Sequence, residues 1–259
     1  YMIVGGMPQA VKKYVETKDF DAVDAAKRDV LAVYRNDIFN YAGEIADKVA
    51  SVFDQIPPQL SKHEKKFRLS ALKPGAKYRD RDDAFFWLKD ARVVNICYNS
   101  TEPNIGLKMN EDRTTLKCYM NDTGLLISHA FDEKGLVSSE IYQKLLFGKL
   151  EVNEGMLIEN VVAQMLAASG NKLFFYSKSS EEAEERMEID FLLQKDKVTS
   201  RHNIRPIEVK SGKNYTLSSL TKCMKKFGEY MTTPTVLHAA DYKVEDGVTY
   251  LPLYMTPLL

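Results

Sequence analysis

Two apolar segments in the second half of the chain carry charged residues at alternate positions, a pattern that is typical of strands. The first reads MEIDFLLQ (187–194) and the second reads PIEVK (206–210). Side chains alternate between the two faces of a strand, so Glu208 and Lys210 share one face of the second segment. The polar stretch between the segments is long enough for a turn. The pattern therefore predicts two neighbouring strands on which Asp190, Glu208 and Lys210 converge.

Alternation also divides the first segment into an acidic face and an apolar face. Glu188 and Asp190 share the acidic face, and the apolar face is expected to hold Ile189, Phe191 and Leu193. Charged residues that alternate with apolar ones are also common on solvated strands. The pattern alone therefore does not separate a reactive site from an ordinary exposed surface.

Two carboxylates that converge repel each other unless a cation neutralises them. Mg²⁺ and Mn²⁺ prefer oxygen ligands, and Mg²⁺ is often held by one or two carboxylates with water and substrate phosphate. Such an ion polarises a phosphoryl oxygen, and a neighbouring lysine stabilises charge on the phosphate or helps to generate hydroxide. We therefore expect Asp190 and Glu208 to bind Mg²⁺ or Mn²⁺ beside Lys210. Glu159, on the preceding helix, offers a third carboxylate if that helix packs at the sheet edge.

The first part of the chain predicts helices followed by a hairpin. Helical spacing of apolar residues occurs in three stretches, at 5–17, 19–42 and 42–56. The strand-like segment RVVNICY (92–98) and a returning segment follow as a hairpin. Three helices and a hairpin are the outline of a winged-helix module, which we place at residues 1–115.

Residues 116–259 predict a mixed sheet that helices cover. Helices are expected at about 153–169 and at 219–231. Strands are expected at 172–178, 187–194, 204–212, 234–240 and 248–255. The whole chain is therefore expected to be an α/β protein, with an N-terminal helical winged-helix module followed by a mixed sheet flanked by helices.

One stretch of the N-terminal part is strongly basic. Residues 62–81 contain eight lysines and arginines against two acids. In a winged-helix module such residues would meet the backbone phosphates of nucleic acid, and a solvated basic face is the alternative. The residues that we assign to a nucleic-acid interface are Lys65, Lys66, Arg68, Lys77, Arg79 and Arg81.

Composition narrows the class of protein. The net charge is zero, so no overall field draws the chain to nucleic acid or membrane, and such binding must come from local patches. Three widely spaced cysteines without a C-x-x-C pair argue against a disulfide framework or a zinc site. No apolar run approaches the roughly 20 residues of a membrane helix, and no signal-peptide pattern is present. We expect a cytoplasmic protein that does not enter membranes, and its start at Tyr1 favours part of a longer chain.

Several motifs together resemble known families. GMLIENVV, FFYSK, MEIDFLL and PIEVKSG resemble the PD-(D/E)xK, restriction-endonuclease-like nuclease superfamily. With VGGMPQAV, IPPQLSKHEKKFRLSAL, RDDAFFWLKDARVV and LKCYMNDTGLL, almost the whole chain resembles the C-terminal part, a domain of unknown function, of a family of prokaryotic AAA-type ATPases. The resemblance implies a nuclease-like domain at 116–259, with Asp190 and Glu208 as metal ligands, Lys210 as the catalytic lysine and Glu159 as the helix acid.

The resemblance also implies partners and leaves alternatives open. It implies binding to DNA, with RNA as a further candidate, and to the upstream ATPase domain of the parent chain. It adds Tyr176 and Lys178 as residues near the site. The helix with Lys222, Lys225 and Lys226 is either a further contact for nucleic acid or a solvated face.

No G-x-x-x-x-G-K-[ST] pattern occurs, so we expect ATP only in the upstream domain and no ATPase activity in this part. The superfamily includes members that have lost cleavage. A Mg²⁺-dependent nuclease, a non-catalytic module that binds nucleic acid or protein, and a regulatory domain of the parent ATPase therefore all remain as hypotheses.

Overall fold

The computed structural model describes residues 1–62, 64–68, 79–104, 106–131, 154–195, 200–212 and 214–259. The chain divides into two compact units, and each unit is built from two stretches of sequence. The first comprises 1–95 and 118–164, and the second comprises 96–117 and 165–259. The protein is a mixed α/β chain in which a helical N-terminal part precedes a sheet with helices, as the sequence predicts.

Helices dominate the first unit. Proline at the first position of α1 suits a helix start, because its missing N–H needs no partner there. The Asp19 side chain accepts a hydrogen bond from the Asp21 N–H and so caps α2. The elements are α1 (Pro8–Thr17), α2 (Phe20–Tyr41), α3 (Ala46–Leu60), β1 (Phe67–Arg68), α4 (Arg79–Asp90), α5 (Thr123–Ala130) and α6 (Glu154–Ala168), whose last turn belongs to the second unit.

The segment before α1 is fixed to the start of α5 through Asp122. One carboxylate oxygen of Asp122 accepts from the Leu125 N–H at 2.8 Å and caps α5, and the other accepts from the Gly6 N–H at 2.6 Å. Gly5 has a φ of +81°, and a Cβ at this position would lie 2.2 Å from Asp122 Oδ1. This close approach therefore requires glycine.

A buried lysine lies beside the same segment. Lys27 on α2 is fully buried, and its Nζ donates to the Ile3 carbonyl at 3.1 Å. Burial lowers the pKa of Lys27 to about 8, against the opposing effect of the Asp24 and Asp122 carboxylates. The N-terminal residues are thus part of the folded unit.

The second unit is built on a mixed sheet. Its strands follow the order β3-β2-β4-β5-β6-β7-β9-β8. Neighbours β4, β5 and β6 pair antiparallel, whereas β2 with β4, β6 with β7, and β7 with β9 pair parallel. The strands are β2 (Val94–Ser100), β3 (Glu111–Met120), β4 (Phe174–Lys178), β5 (Met187–Gln194), β6 (Ile204–Val209), β7 (Thr235–His238), β8 (Lys243–Glu245) and β9 (Val248–Pro252). The units divide within β2 and β3.

One helix of the second unit, α7 (Ser218–Phe227), packs against β5. Its buried residues Leu220 and Cys223 belong to an apolar cluster with side chains of the sheet, among them Ile189, Leu192 and Val236. These contacts position the helix beside the strands that carry the acidic motif.

The predicted winged-helix hairpin is part of this larger sheet. β2 and β3 are neighbours, as expected, but β2 also pairs with β4 through Tyr98–Phe174 and Asn99–Phe175. The domain boundary between residues 115 and 116 stays a prediction. Strand patterns predict which segments are extended, but they do not identify the partner of an edge strand.

β5 contains an irregularity that the alternating pattern does not predict. One residue of β4, Phe175, faces two residues of β5, Asp190 and Phe191. The pairs on either side are Tyr176–Ile189 and Phe174–Leu192. Such a β-bulge changes the direction of the side chains that follow it.

The bulge corrects the predicted apolar face of β5. Ile189 packs in the same cluster as Leu192, whereas simple alternation groups it with Phe191 and Leu193. After Asp190, the extra residue reverses which face of the sheet each side chain of β5 points to.

Among the residues that the structure describes, no helix combines the length and the apolar character needed to cross a membrane.

Candidate functional site

The acids singled out in the sequence lie together at one end of the β5–β6 pair. The backbone pairing reaches Phe191–Ile207, and Asp190 and Glu208 are the next residue beyond it in each strand. Asp190 Oδ2 accepts a hydrogen bond from the Val209 N–H at 2.8 Å. This bond fixes the Asp190 side chain against the neighbouring strand.

Glu208 is almost fully buried in this unit. Only 4% of it is exposed. Its Oε2 accepts from Lys210 Nζ at 2.7 Å, and its buried Oε1 has no hydrogen-bond partner within the described ranges. Burial and then the Asp190 carboxylate raise the pKa of Glu208, Lys210 and Lys117 oppose them, and the net result is a pKa of about 8.

Lys210 is suited to hold a positive charge. Burial alone would lower its pKa, but the Glu208 and Asp190 carboxylates outweigh burial and raise the pKa above its ordinary value. The ammonium therefore stays protonated at neutral pH. A protonated lysine can stabilise negative charge but cannot accept a proton.

Sequence reasoning missed one member of the site, Lys117 on β3. It is fully buried, and its Nζ lies 3.0 Å from Glu188 Oε1 and 3.7 Å from Asp190 Oδ1. The ammonium also lies 5.1 Å from the centre of the Phe175 ring. A signal was present, because a lysine inside the apolar run LKCYM must find an acid if the strand is buried.

Glu159 belongs to the first unit and to a different set of contacts. It lies on α6, only 4% exposed, and accepts hydrogen bonds from Lys65 Nζ and the Tyr119 hydroxyl. Its proposed part as a third acid of the metal site stays a prediction.

The residues assigned to a nucleic-acid interface divide into two groups. Lys65 is mostly buried and bound to Glu159, and Lys66 is 7% exposed, so their assignment to the interface stays a prediction. For Arg68, Arg79 and Arg81 the structure describes the backbone alone, in β1 and α4, and Lys77 lies outside the described residues.

The remaining residues predicted near the site lie on β4 and α7, and most of them contact other protein groups. Tyr176 packs in the apolar cluster, edge-on to Phe227 at 5.3 Å between ring centres. Lys178 pairs with Glu185. On α7, Lys222 donates to the Ala183 carbonyl at 2.6 Å, whereas Lys225 and Lys226 are exposed.

The carboxylates of this site are ligands of the kind that Mg²⁺ and Mn²⁺ prefer. Among the described residues, no group of three or more histidine, cysteine, aspartate or glutamate side chains has a metal-binding arrangement. One or two carboxylates nevertheless suffice for Mg²⁺ when water and phosphate complete its coordination. The unpartnered Oε1 of Glu208, beside Asp190, supplies a buried carboxylate oxygen of the required kind, so the residues fit the ion.

Comparison with known families identifies two regions of the chain. Residues 1–134 match the family model Domain of unknown function (DUF8612), more than half of the chain, so the protein belongs to this family. Residues 154–255 match a second model, Domain of unknown function (DUF4143). Comparisons with curated proteins and with solved structures gave no match.

Proposed function

We propose that this chain is the C-terminal region of an AAA-type ATP-binding protein, and that its second unit cleaves nucleic acid in a metal-dependent reaction. The observation that supports the proposal most strongly is the buried Glu208 carboxylate. One of its oxygens is held by Lys210, and the other has no partner within the described ranges. An arrangement of this kind leaves a carboxyl oxygen available to a cation, which would favour the ionised form of Glu208, beside the Lys210 ammonium group.

The residues have distinct tasks in this proposal. Asp190 and Glu208 would hold Mg²⁺ or Mn²⁺, which supplies polarisation of the phosphate and a bound water of lowered pKa. The Val209 N–H keeps Asp190 in place, so its carboxylate needs little reorganisation on binding. Lys210 stabilises the charge that develops on the phosphate. The exposed Lys225 and Lys226 of α7, which packs on β5, contact the backbone phosphates of DNA or RNA.

The decisive experiment measures cleavage by the purified chain. Single-stranded and double-stranded DNA and RNA are incubated with Mg²⁺, Mn²⁺ or EDTA, and products are resolved on gels. We expect metal-dependent cleavage that falls by about 100-fold or more in Asp190→Asn, Glu208→Gln and Lys210→Met. Lys243→Met removes an exposed ammonium of β8 and should leave cleavage unchanged. Equal activity in all variants, or cleavage that survives EDTA, would refute the assignment.

A second function is favoured by Lys117. Its ammonium already lies beside Glu188 and Asp190, and an acid cluster neutralised by lysines can serve binding alone. In that case the region is a non-catalytic module that binds nucleic acid or the upstream ATPase domain. It would shift DNA in gels with a steep salt dependence but release no products, or it would bind the separate ATPase domain in calorimetry.

A further inference from the structure

Lys117 occupies a buried position of β3, where an apolar residue would be expected. Its neighbours along β3, Leu116 and Cys118, are fully buried, and so is Lys117. An ammonium group is removed from water only at a high free-energy cost unless acids surround it. The fold therefore maintains a fixed positive charge at this point of the second unit.

The contacts of Lys117 identify what this charge faces. Nζ lies 3.0 Å from Glu188 Oε1 and 3.7 Å from Asp190 Oδ1, with the Phe175 ring beneath it. The other oxygen of Asp190 is bound to the Val209 N–H. Asp190 thus lies beside Lys117, and its charge also acts on Glu208 and Lys210.

We propose that Lys117 takes the place of a second divalent cation, so that the acid site binds one metal ion and not two. This inference rests on the metal-dependent function proposed above. Sites with two metals use a carboxylate that bridges ions about 3.5–4 Å apart. Here Asp190 would help Glu208 to hold the one metal ion, and the Lys117 ammonium beside Asp190 and Glu188 would supply the second positive charge.

The charges of the cluster support a single ion. Among the described residues, Glu188, Asp190 and Glu208 supply at most three negative charges against the two ammonium groups of Lys117 and Lys210, so the net charge is no more negative than one. One bound divalent ion would therefore give the cluster a net positive charge. A second ion would enter a cluster that is already positive and would have to displace the buried ammonium.

The test counts bound Mn²⁺ by electron paramagnetic resonance in the metal-stripped full chain. We expect one ion per chain for the wild type and two for Lys117→Met, because Glu188 and Asp190 then lose the neighbouring Lys117 ammonium. The double variant Lys117→Met/Glu188→Gln removes the ammonium and its nearer acid together, so it should return to one ion. Lys243→Met should stay at one.

The possible outcomes separate the inference from the proposed function. One ion in both the wild type and Lys117→Met overturns the inference and leaves the function standing. No ion in the wild type refutes the metal-dependent function. If the wild type binds no ion, one ion in Lys117→Met would still show that Lys117 occupies a cation site. No ion in Lys117→Met would refute that role as well.

Folding of the variant supplies a second readout. If Lys117→Met does not fold without metal, Mn²⁺ should restore its circular dichroism and raise its melting temperature more than that of the wild type. Failure of Mn²⁺ to restore the fold would also overturn the inference.

Discussion

The Lys210 ammonium donates a hydrogen bond to Glu208 Oε2 at 2.7 Å, and a single residue separates the two along the chain. The Glu-x-Lys spacing places both side chains on one face, so a local sequence pattern creates the ion pair. Glu208 is almost fully buried and Lys210 about one-fifth exposed. The pair is therefore shielded from the water that weakens surface ion pairs.

Replacing Lys210 with methionine should destabilise the metal-free protein. The Glu208 carboxyl group would lose its ammonium partner in a buried position, which we expect to cost about 2 kcal/mol in the free energy of unfolding. Glu208→Gln in the same background should recover part of this loss. A double-mutant cycle by urea denaturation should give a coupling energy of about 1–3 kcal/mol.

The exposed pair Lys243–Glu245 provides the matched control for this cycle. Its side chains are about half exposed, so Lys243→Met should cause no measurable change in stability. A coupling energy near zero for Lys210 and Glu208 would show that the two side chains do not interact in solution.

The sequence predicts the parts of the site that depend on local spacing. Glu208 and Lys210 follow from strand alternation, and Asp190 follows from the pairing of two adjacent segments. Lys117 could not be placed in the same way, because it reaches the acids from β3, a strand far upstream. The bulge at Asp190 and Phe191 depends on the β4–β5 register, which is fixed by contacts between strands.

The same distinction applies to the fold. The N-terminal helices carry their own periodicity and capping residues, so their positions were close to those expected. The hairpin of β2 and β3 was also expected, but its partner β4 was not. Pairing between distant strands leaves no local pattern in either segment.

Gly5→Ala should strongly destabilise the first unit. The φ of +81° is unfavourable for alanine, and the new methyl group would lie 2.2 Å from Asp122 Oδ1. We expect a loss of about 2–3 kcal/mol in the free energy of unfolding, measured by urea denaturation with circular dichroism.

Gly43→Ala separates the two causes of this loss. Gly43 has a φ of +56°, but a Cβ there meets no atom of the described residues within 4 Å. It should cost only about 1 kcal/mol, from backbone conformation alone. Equal losses at both glycines would argue against the contact between Gly5 and Asp122.

Lys27 should make stability depend on alkaline pH. Its pKa in the folded protein is lowered to about 8 by burial, from an ordinary value of 10.5. Below pH 8 the buried group is charged in both states, and the full destabilisation is present. Between about pH 8 and 10.5 the unfolded chain binds a proton that the folded chain has lost, so folding becomes more favourable as pH rises.

The Lys27→Met variant lacks this titration and serves as the reference. The stability of the wild type relative to the variant should rise by about 1.4 kcal/mol per pH unit across this window, on the order of 3 kcal/mol in total. Urea denaturation at pH 7.5, 9 and 10.5 measures the difference. A difference that stays constant with pH would exclude a buried, shifted Lys27.

Two sets of lysines should respond in opposite ways when DNA binding and stability are measured together. Lys225→Ala/Lys226→Ala removes exposed charges of α7, so DNA affinity should fall and the slope of log K against log salt should decrease by about 2.

Lys65→Met instead breaks the buried pair with Glu159, so we expect a loss of about 2–3 kcal/mol in stability. At temperatures where this variant is folded, its salt slope should equal that of the wild type. A reduced slope for Lys65→Met would support the assignment of Lys65 to the nucleic-acid interface, and an unchanged slope for the α7 variant would remove that helix from it.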